Sequence, residues 1–282
     1  VVTATSATAQ TSGADFLRLA SGARGVAMGE AWFANGGTAE SARYNPANIA
    51  TIDGFGVTLS HARIDKETQL ECAQWAQKFR WGSLGVGGIF YFIPSFLSFG
   101  AAGETTGSLF IGDIAASVTY ARPLGPAAVG LSAKFVHRAL GEFRATTAAF
   151  DIGVTVGARV SPVPSNPTER NLSFGLALRD VGPRLRFVAE RESLPTTIHA
   201  GASYRVLPGL VVNASAAFPI FGENFRVEPS VGAEYGIRKF FFVRAGYLRG
   251  DGRGKVTAGG GLRFSRRSFV GHVDYAMQYR PD

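Results

Sequence analysis

From Phe55 onward the chain alternates apolar with polar or small residues at every second position, the period of a β-strand with two unlike faces. The stretch from Arg226 to Arg238 is the clearest case. Val227, Pro229, Val231, Ala233, Tyr235 and Ile237 form one face, and Arg226, Glu228, Ser230, Gly232, Glu234, Gly236 and Arg238 form the other. A helix would mix these two sets. About thirteen such segments, each about 10 to 12 residues long, follow one another between Gly, Pro, Asn or charged turns. They are 55–63, 69–80, 82–92, 110–121, 127–138, 147–160, 171–180, 196–206, 209–218, 226–237, 239–249, 255–265 and 268–279. Gly82 to Gly103 is uncharged and long enough for a membrane helix. Five glycines from Gly82 to Gly100 and Pro94 in the middle instead predict a strand running into an apolar loop that holds Phe92, Ile93, Phe96, Leu97 and Phe99.

Two architectures offer this pattern, a soluble β-sandwich with a dry interior or a barrel with its apolar face in lipid and its polar face in the lumen. The polar face decides between them. It carries Lys134, Asp151, Arg159, Arg179, Arg205, Arg226, Glu228, Glu234, Arg238, Lys255, Arg263 and Asp274 among many Gly, Ala, Ser and Thr. A uniformly apolar opposite face on more than ten successive strands, each about 10 residues long, fits a tilted strand crossing a bilayer. Aromatic residues near segment ends, such as Trp81, Tyr120, Phe218 and Tyr279, suit interfacial girdles. The fold expected is therefore all-β, a transmembrane antiparallel β-barrel of about 14 strands in a bacterial outer membrane. Such barrels close with an even strand count, so a final strand is expected beyond Asp282. Short turns such as Pro123-Leu124-Gly125-Pro126 would face the periplasm, and the connections 93–109, 161–170 and 181–195 would form the outer mouth.

Composition narrows the chemistry. Gly is 36 of 282 residues, charged residues are 18%, and the formal net charge is +8. The basic residues are dispersed rather than clustered, which argues against nucleic acid. One cysteine, Cys72, permits no internal disulfide and no thiolate-rich metal site. His61, His137, His199 and His272 lie in no catalytic motif, and the glycine-rich run Arg249 to Lys255 precedes a strand rather than a helix, so it reads as a hairpin turn. No catalytic residue, metal site or cofactor is expected.

The residues ahead of the first strand do not alternate. Gly13-Ala14-Asp15-Phe16-Leu17-Arg18-Leu19, then Gly22-Ala23-Arg24-Gly25-Val26-Ala27-Met28-Gly29, then Tyr44-Asn45-Pro46-Ala47 resemble the N-terminal signature of the PorV/PorQ family of FadL-like outer-membrane barrels. Glu30 and Asn48-Ile49 depart from the family's usual residues there. The resemblance implies a plug folded into the lumen, with Gly22, Ala23, Arg24, Gly29, Asn45, Pro46 and Ala47 as its motif. Asn45 and Pro46 make a stiff corner, and Arg24 is placed to pair with Glu228 or Glu234. The organisation expected is an arm or signal remnant over 1–12, a plug over 13–54 and a barrel over 55–282.

Resemblance to the PorV branch implies a non-enzymatic barrel of type IX secretion that docks a secreted or surface protein at its outer mouth. Resemblance to FadL itself implies a passive channel for hydrophobic small molecules. A small, charged inner face favours docking over an apolar substrate pocket. The apolar loop would supply the docking contacts, since so many large apolar groups do not sit bare in water. Outer-membrane lipid is the remaining partner.

Overall fold

The computed structural model describes residues 13–65, 67–99, 105–158, 171–187, 190–220, 226–238, 240–250, 253–266 and 269–279. Most of them are strand. In chain order the strands are β1 (Phe55–Arg63), β2 (Gln69–Phe79), β3 (Gly82–Phe99), β4 (Thr105–Leu124), β5 (Ala127–Leu140), β6 (Phe143–Ala158), β7 (Leu172–Val181), β8 (Leu185–Phe187), β9 (Glu190–Glu192), β10 (Thr197–Leu207), β11 (Leu210–Pro219), β12 (Glu228–Ile237), β13 (Phe241–Gly250), β14 (Arg253–Arg266) and β15 (Phe269–Tyr279). Thirteen of these form one sheet in sequence order from β1 to β15, while β8 and β9 pair separately. Every neighbouring pair in the large sheet is antiparallel. Such a meander follows from short connections, which antiparallel strands accept and parallel strands do not.

One end of the sheet carries tight turns. Gly125 and Gly209 take positive φ there, 61° and 92°, a conformation that costs glycine no Cβ clash and matches the twist of a hairpin. The other end carries the β3–β4 connection, the β8–β9 hairpin and the connection between β11 and β12. The β6–β7 connection joins Ala158 to Leu172, which pair beside the Gly125 turn. These described strand ends thus lie at the tight-turn end, and the segment 161–170, expected at the mouth, lies outside the described residues.

The expected apolar loop is also corrected. The backbone of β3 continues as strand to Phe99, and β4 starts at Thr105, with register shifts between Ile93 and Phe96 and between Ser98 and Phe99. Aromatic and branched residues favour the extended backbone, and pairing satisfies amides that an apolar loop would leave bare. Phe96, Leu97 and Phe99 thus belong to a strand, with side chains outside the described residues. Phe92 stacks on Phe90, ring centroids 4.7 Å apart.

Residues ahead of β1 form three short 3-10 segments, Asp15–Arg18, Ala39–Arg43 and Pro46–Thr51, and one short helix, α1 (Ala23–Ala27). They lie against the inner face of the sheet. The helix packs on β13, β14 and β15, Ala39–Arg43 packs on β1 and β2, and Pro46–Thr51 packs on β3 to β6. So few residues reach both edges of a 13-stranded sheet only because the sheet curls around them.

Candidate functional site

The alternation sends the large apolar side chains outward. On β5, Val129, Leu131 and Phe135 are exposed while Ser132, Lys134 and Val136 are buried. The same division runs from β1 to β15, with Leu59, Val118, Ile152, Leu176, Val231, Val243, Val256 and Val273 all exposed. At the tight-turn end Phe79 stacks on Trp81 at 5.0 Å, Trp81 stacks on Tyr120 at 5.7 Å, and the Tyr120 hydroxyl donates to the Trp81 carbonyl at 2.8 Å. Such groups fit a membrane–water boundary, where one edge of the ring is wet. Toward the other end the outward row becomes polar. His61 meets Glu71 at 2.6 Å and His137 meets Thr146 at 3.0 Å. From the Gly125 turn to His137 is about the ten residues that a tilted strand needs to cross a bilayer. This outward face belongs in lipid, and strands that cross lipid with their amides paired are those of outer-membrane barrels.

The inward face is the candidate site, because the N-terminal segment fills it. Arg24 leaves α1 to meet Glu234 on β12 with two charge-assisted bonds, Nε to Oε2 at 2.7 Å and Nη2 to Oε1 at 2.6 Å, the bidentate geometry that favours arginine. The same carboxylate accepts from Arg244 Nε at 2.6 Å, and Arg244 Nη1 reaches Asp274 on β15 at 2.6 Å. Arg244 crosses β14 over Gly261, where a Cβ would meet both Asp274 and Arg244. The guanidinium of Arg24 also lies 4.6 Å above the Trp32 ring. Arg18 meets both oxygens of Glu228 at 2.7 Å.

A second ionic cluster sits on β5, β6 and β7. Lys134 Nζ lies 2.7 Å from Asp151 and 2.6 Å from Asp180, and the Asp180 amide donates to Asp151 at 2.8 Å. Asp180 holds φ at 57°, a left-handed conformation that Asp tolerates better than most residues, and its neighbour Arg179 is 3.6 Å away. Arg179 and Arg43 both donate to the Leu17 carbonyl, at 3.4 and 3.3 Å, and Arg43 also donates to the Leu19 carbonyl at 2.8 Å. Backbone carbonyls of the segment thus join it to the charged wall.

The Asn45-Pro46-Ala47 corner is a cap. Asn45 Oδ1 accepts from the Ala47 amide at 3.0 Å, and Asn45 Nδ2 donates to the Val154 carbonyl on β6 at 3.0 Å. Pro46 sits at the first position of its turn, where no amide is missed. The wall beneath is glycine because the backbone comes so near. A Cβ on Gly153 would collide with Asn45, and one on Gly130 with Pro46 and Ala47. Gly29, at φ 62°, donates to Thr257 at 2.9 Å.

Two apolar layers complete the seal. Toward the loop end Phe16, Leu17, Leu70, Ile89, Val136 and Leu194 pack together, and toward the turn end Ala47, Ile49, Ile52, Ala76 and Ala121 do. Glu40 is 5% exposed, its Oε1 has no hydrogen-bond partner among the described residues, and burial pushes its carboxyl up to about 8.

The remaining expected charges scatter. Lys255 and Arg205 are half-buried on β14 and β10, and Arg263 shares the face of Thr257 but is exposed near the turn end. Arg226 precedes β12 and is exposed, and Arg238 lies in a turn at φ 51°. These two are not lumen charges, because the strand ends before the alternation does. Arg159 lies outside the described residues. Sequence reading passed over Arg18, Glu40, Arg43, Arg244 and Asp180. Arg244 carried a usable signal, since an arginine aimed at lipid costs about 2–4 kcal/mol at mid-bilayer and so points inward.

No protein-family description matches the sequence, and no curated protein does. Solved structures do match. A TodX deltaS2S3 mutant, described as a monoaromatic hydrocarbon channel, aligns over 92% of this chain and 98% of its own, with a TM-score of 0.56 and 12% identity. In fold, the chain is similar to a hydrocarbon channel. At that identity the likeness speaks for the fold alone.

Proposed function

We propose that the chain is a passive, non-enzymatic outer-membrane channel for hydrophobic small molecules, with residues 13–54 as its plug. The observation that carries this reading is the fold likeness to a monoaromatic hydrocarbon channel over nearly the whole of both chains. The lumen supports it. A hydrophobic solute entering from the loop end passes the Arg138–Asp113 ion pair to the apolar layer of Phe16, Leu17, Leu70 and Ile89, and an apolar contact draws such a solute out of water. Passage then requires the segment to shift, and its ionic and hydrogen-bonded attachments exchange with water more readily than its two apolar layers do.

Docking of a secreted protein is the second reading, carried by the PorV/PorQ resemblance. The lengths of β3 and β4, 18 and 20 residues, favour it, because they exceed what a bilayer requires and so raise a wall above the outer leaflet. Uptake of a radiolabelled monoaromatic hydrocarbon by cells with and without the chain in their outer membrane tests the channel. The expected result is uptake several-fold above cells lacking it. Equal uptake, together with stoichiometric recovery of a secreted protein in mild detergent, would overturn the channel in favour of docking.

A further inference from the structure

The outward wall is not uniformly filled. On β1 to β4 a groove of about 620 Å³ opens toward lipid, lined by Leu59, His61, Glu71, Ala73, Phe90 and Ile114. Register explains it. Leu59 pairs with Ala73, Ala73 with Gly88, and Gly88 with Ala116, so β2, β3 and β4 present almost no side chain at this level, between Leu59 on β1 and Phe135 on β5. Phe90 and Ile114 stand on one side, and a Cβ placed on Gly88 would meet nothing within 4 Å. Toward the loop end the groove finishes at the His61–Glu71 pair, whose side chains are 55% and 44% exposed and 2.6 Å apart.

We propose that this groove binds one acyl lipid from the surrounding leaflet, its chain lying over Ala73 and Gly88 and its head group held by Glu71 and His61. The volume lies within the range of small-ligand sites. The apolar lining is continuous with the lipid-facing belt, so a hydrocarbon chain reaches it by lateral diffusion without crossing water. A void left there would forfeit dispersion contacts on every lining atom, whereas a chain restores them. At the head-group end a carboxylate and an imidazole stand at the level where the outward face turns polar. Glu71 offers acceptors and negative charge, so the complementary head group carries N–H donors, as a primary ammonium does and a quaternary one does not. The site lies outside the lumen and does not depend on transport.

Native mass spectrometry of the full chain in mild detergent, titrated with phosphatidylethanolamine or phosphatidylcholine of identical chains, tests this. Wild type is expected to retain one phosphatidylethanolamine at a collision energy that strips the rest, and to retain phosphatidylcholine at least fivefold less. Gly88→Phe fills the groove from outside and is expected to lose the retained lipid, as is Ala73→Leu, while both keep the heat-dependent gel mobility of a folded barrel. Glu71→Gln is expected to retain the lipid with the head-group preference reduced. Equal retention by Gly88→Phe and wild type, or wild-type indifference to the head group, would overturn the proposal.

Discussion

Replacing Arg24 with alanine should loosen the N-terminal segment while leaving the barrel standing. The side chain makes two bonds to Glu234, and the pair is 28% exposed on the arginine and 7% on the carboxylate. A fully buried pair that loses one partner costs about 3–5 kcal/mol, and an exposed pair about 0–1. This pair lies between those limits. In the variant Glu234 still accepts from Arg244 at 2.6 Å, so its charge is not orphaned, and about 2–3 kcal/mol is the appropriate figure. With tenfold per 1.4 kcal/mol, the equilibrium for release of the segment should rise about 30- to 150-fold.

Chymotrypsin reads this directly, because Trp32 and Tyr44 are buried at 1% and 4% exposure and become cleavable only when the segment lifts. When closing is fast relative to cleavage, the cleavage rate follows the open population. Cleavage after Trp32 and Tyr44 should therefore accelerate by about that factor in Arg24→Ala. The strands should stay resistant. Glu234→Ala should exceed Arg24→Ala, since it strips Arg24 and the 1%-exposed Arg244 side chain of one shared partner. Unchanged cleavage in Arg24→Ala, or equal acceleration within the strands, would refute the view that this pair holds the segment independently of the sheet.

Glu40 should make the segment's retention depend on pH. Its folded carboxyl is raised to about 8, so the folded form keeps a proton that the released form loses near 4.5. Stability is then greatest below about pH 4.5, falls as pH rises to about 8, and levels off above it, by an order of a few kcal/mol. Glu40→Gln should remove this slope, slowing cleavage at pH 8 and hardly changing it at pH 5; a variant-to-wild-type ratio that is the same at both pH values would contradict it. Gly153→Ala should drive its new methyl into Asn45 at a cost of about 1–3 kcal/mol, seen as faster cleavage after Tyr44. Gly88→Ala, which faces open space, should leave that cleavage unchanged.

Much of the wall was legible because a strand's two faces are written in alternate residues. The segment 127–138 became β5 with Lys134 inward and Leu131 outward, and Arg226 to Arg238 became β12 apart from its ends. The ends failed for a local reason. Alternation runs on through a turn that reverses the chain, and only backbone angles such as the φ of 51° at Arg238 mark the break. Over 93–99 the reading erred the other way, taking Pro94 into a loop where a bulged strand absorbs it.

What the inward residues touch was less accessible, and the reason is geometric. Alternation says which side chains face the lumen but not which strands the segment crosses, because that depends on how far the sheet curls. Asp274 and Glu234 lie on β15 and β12 and are joined through Arg244 on β13, a contact that spans a strand and needs Gly261 to be bare. Gly130, Gly153 and Gly261 look alike in the sequence to Gly88, yet the first three face the N-terminal segment or a charge and the fourth faces lipid. Parity separates them. Counted along their own strands from Lys134, Asp151 and Lys255, the first three fall inward, whereas Gly88 shares the parity of Val86 and Phe90. A glycine on the lumen face of such a barrel therefore marks where another part of the chain comes close, whereas on the lipid face a glycine is either covered by a neighbouring ring, as Gly271 is by Phe264, or leaves a hollow, as Gly88 does.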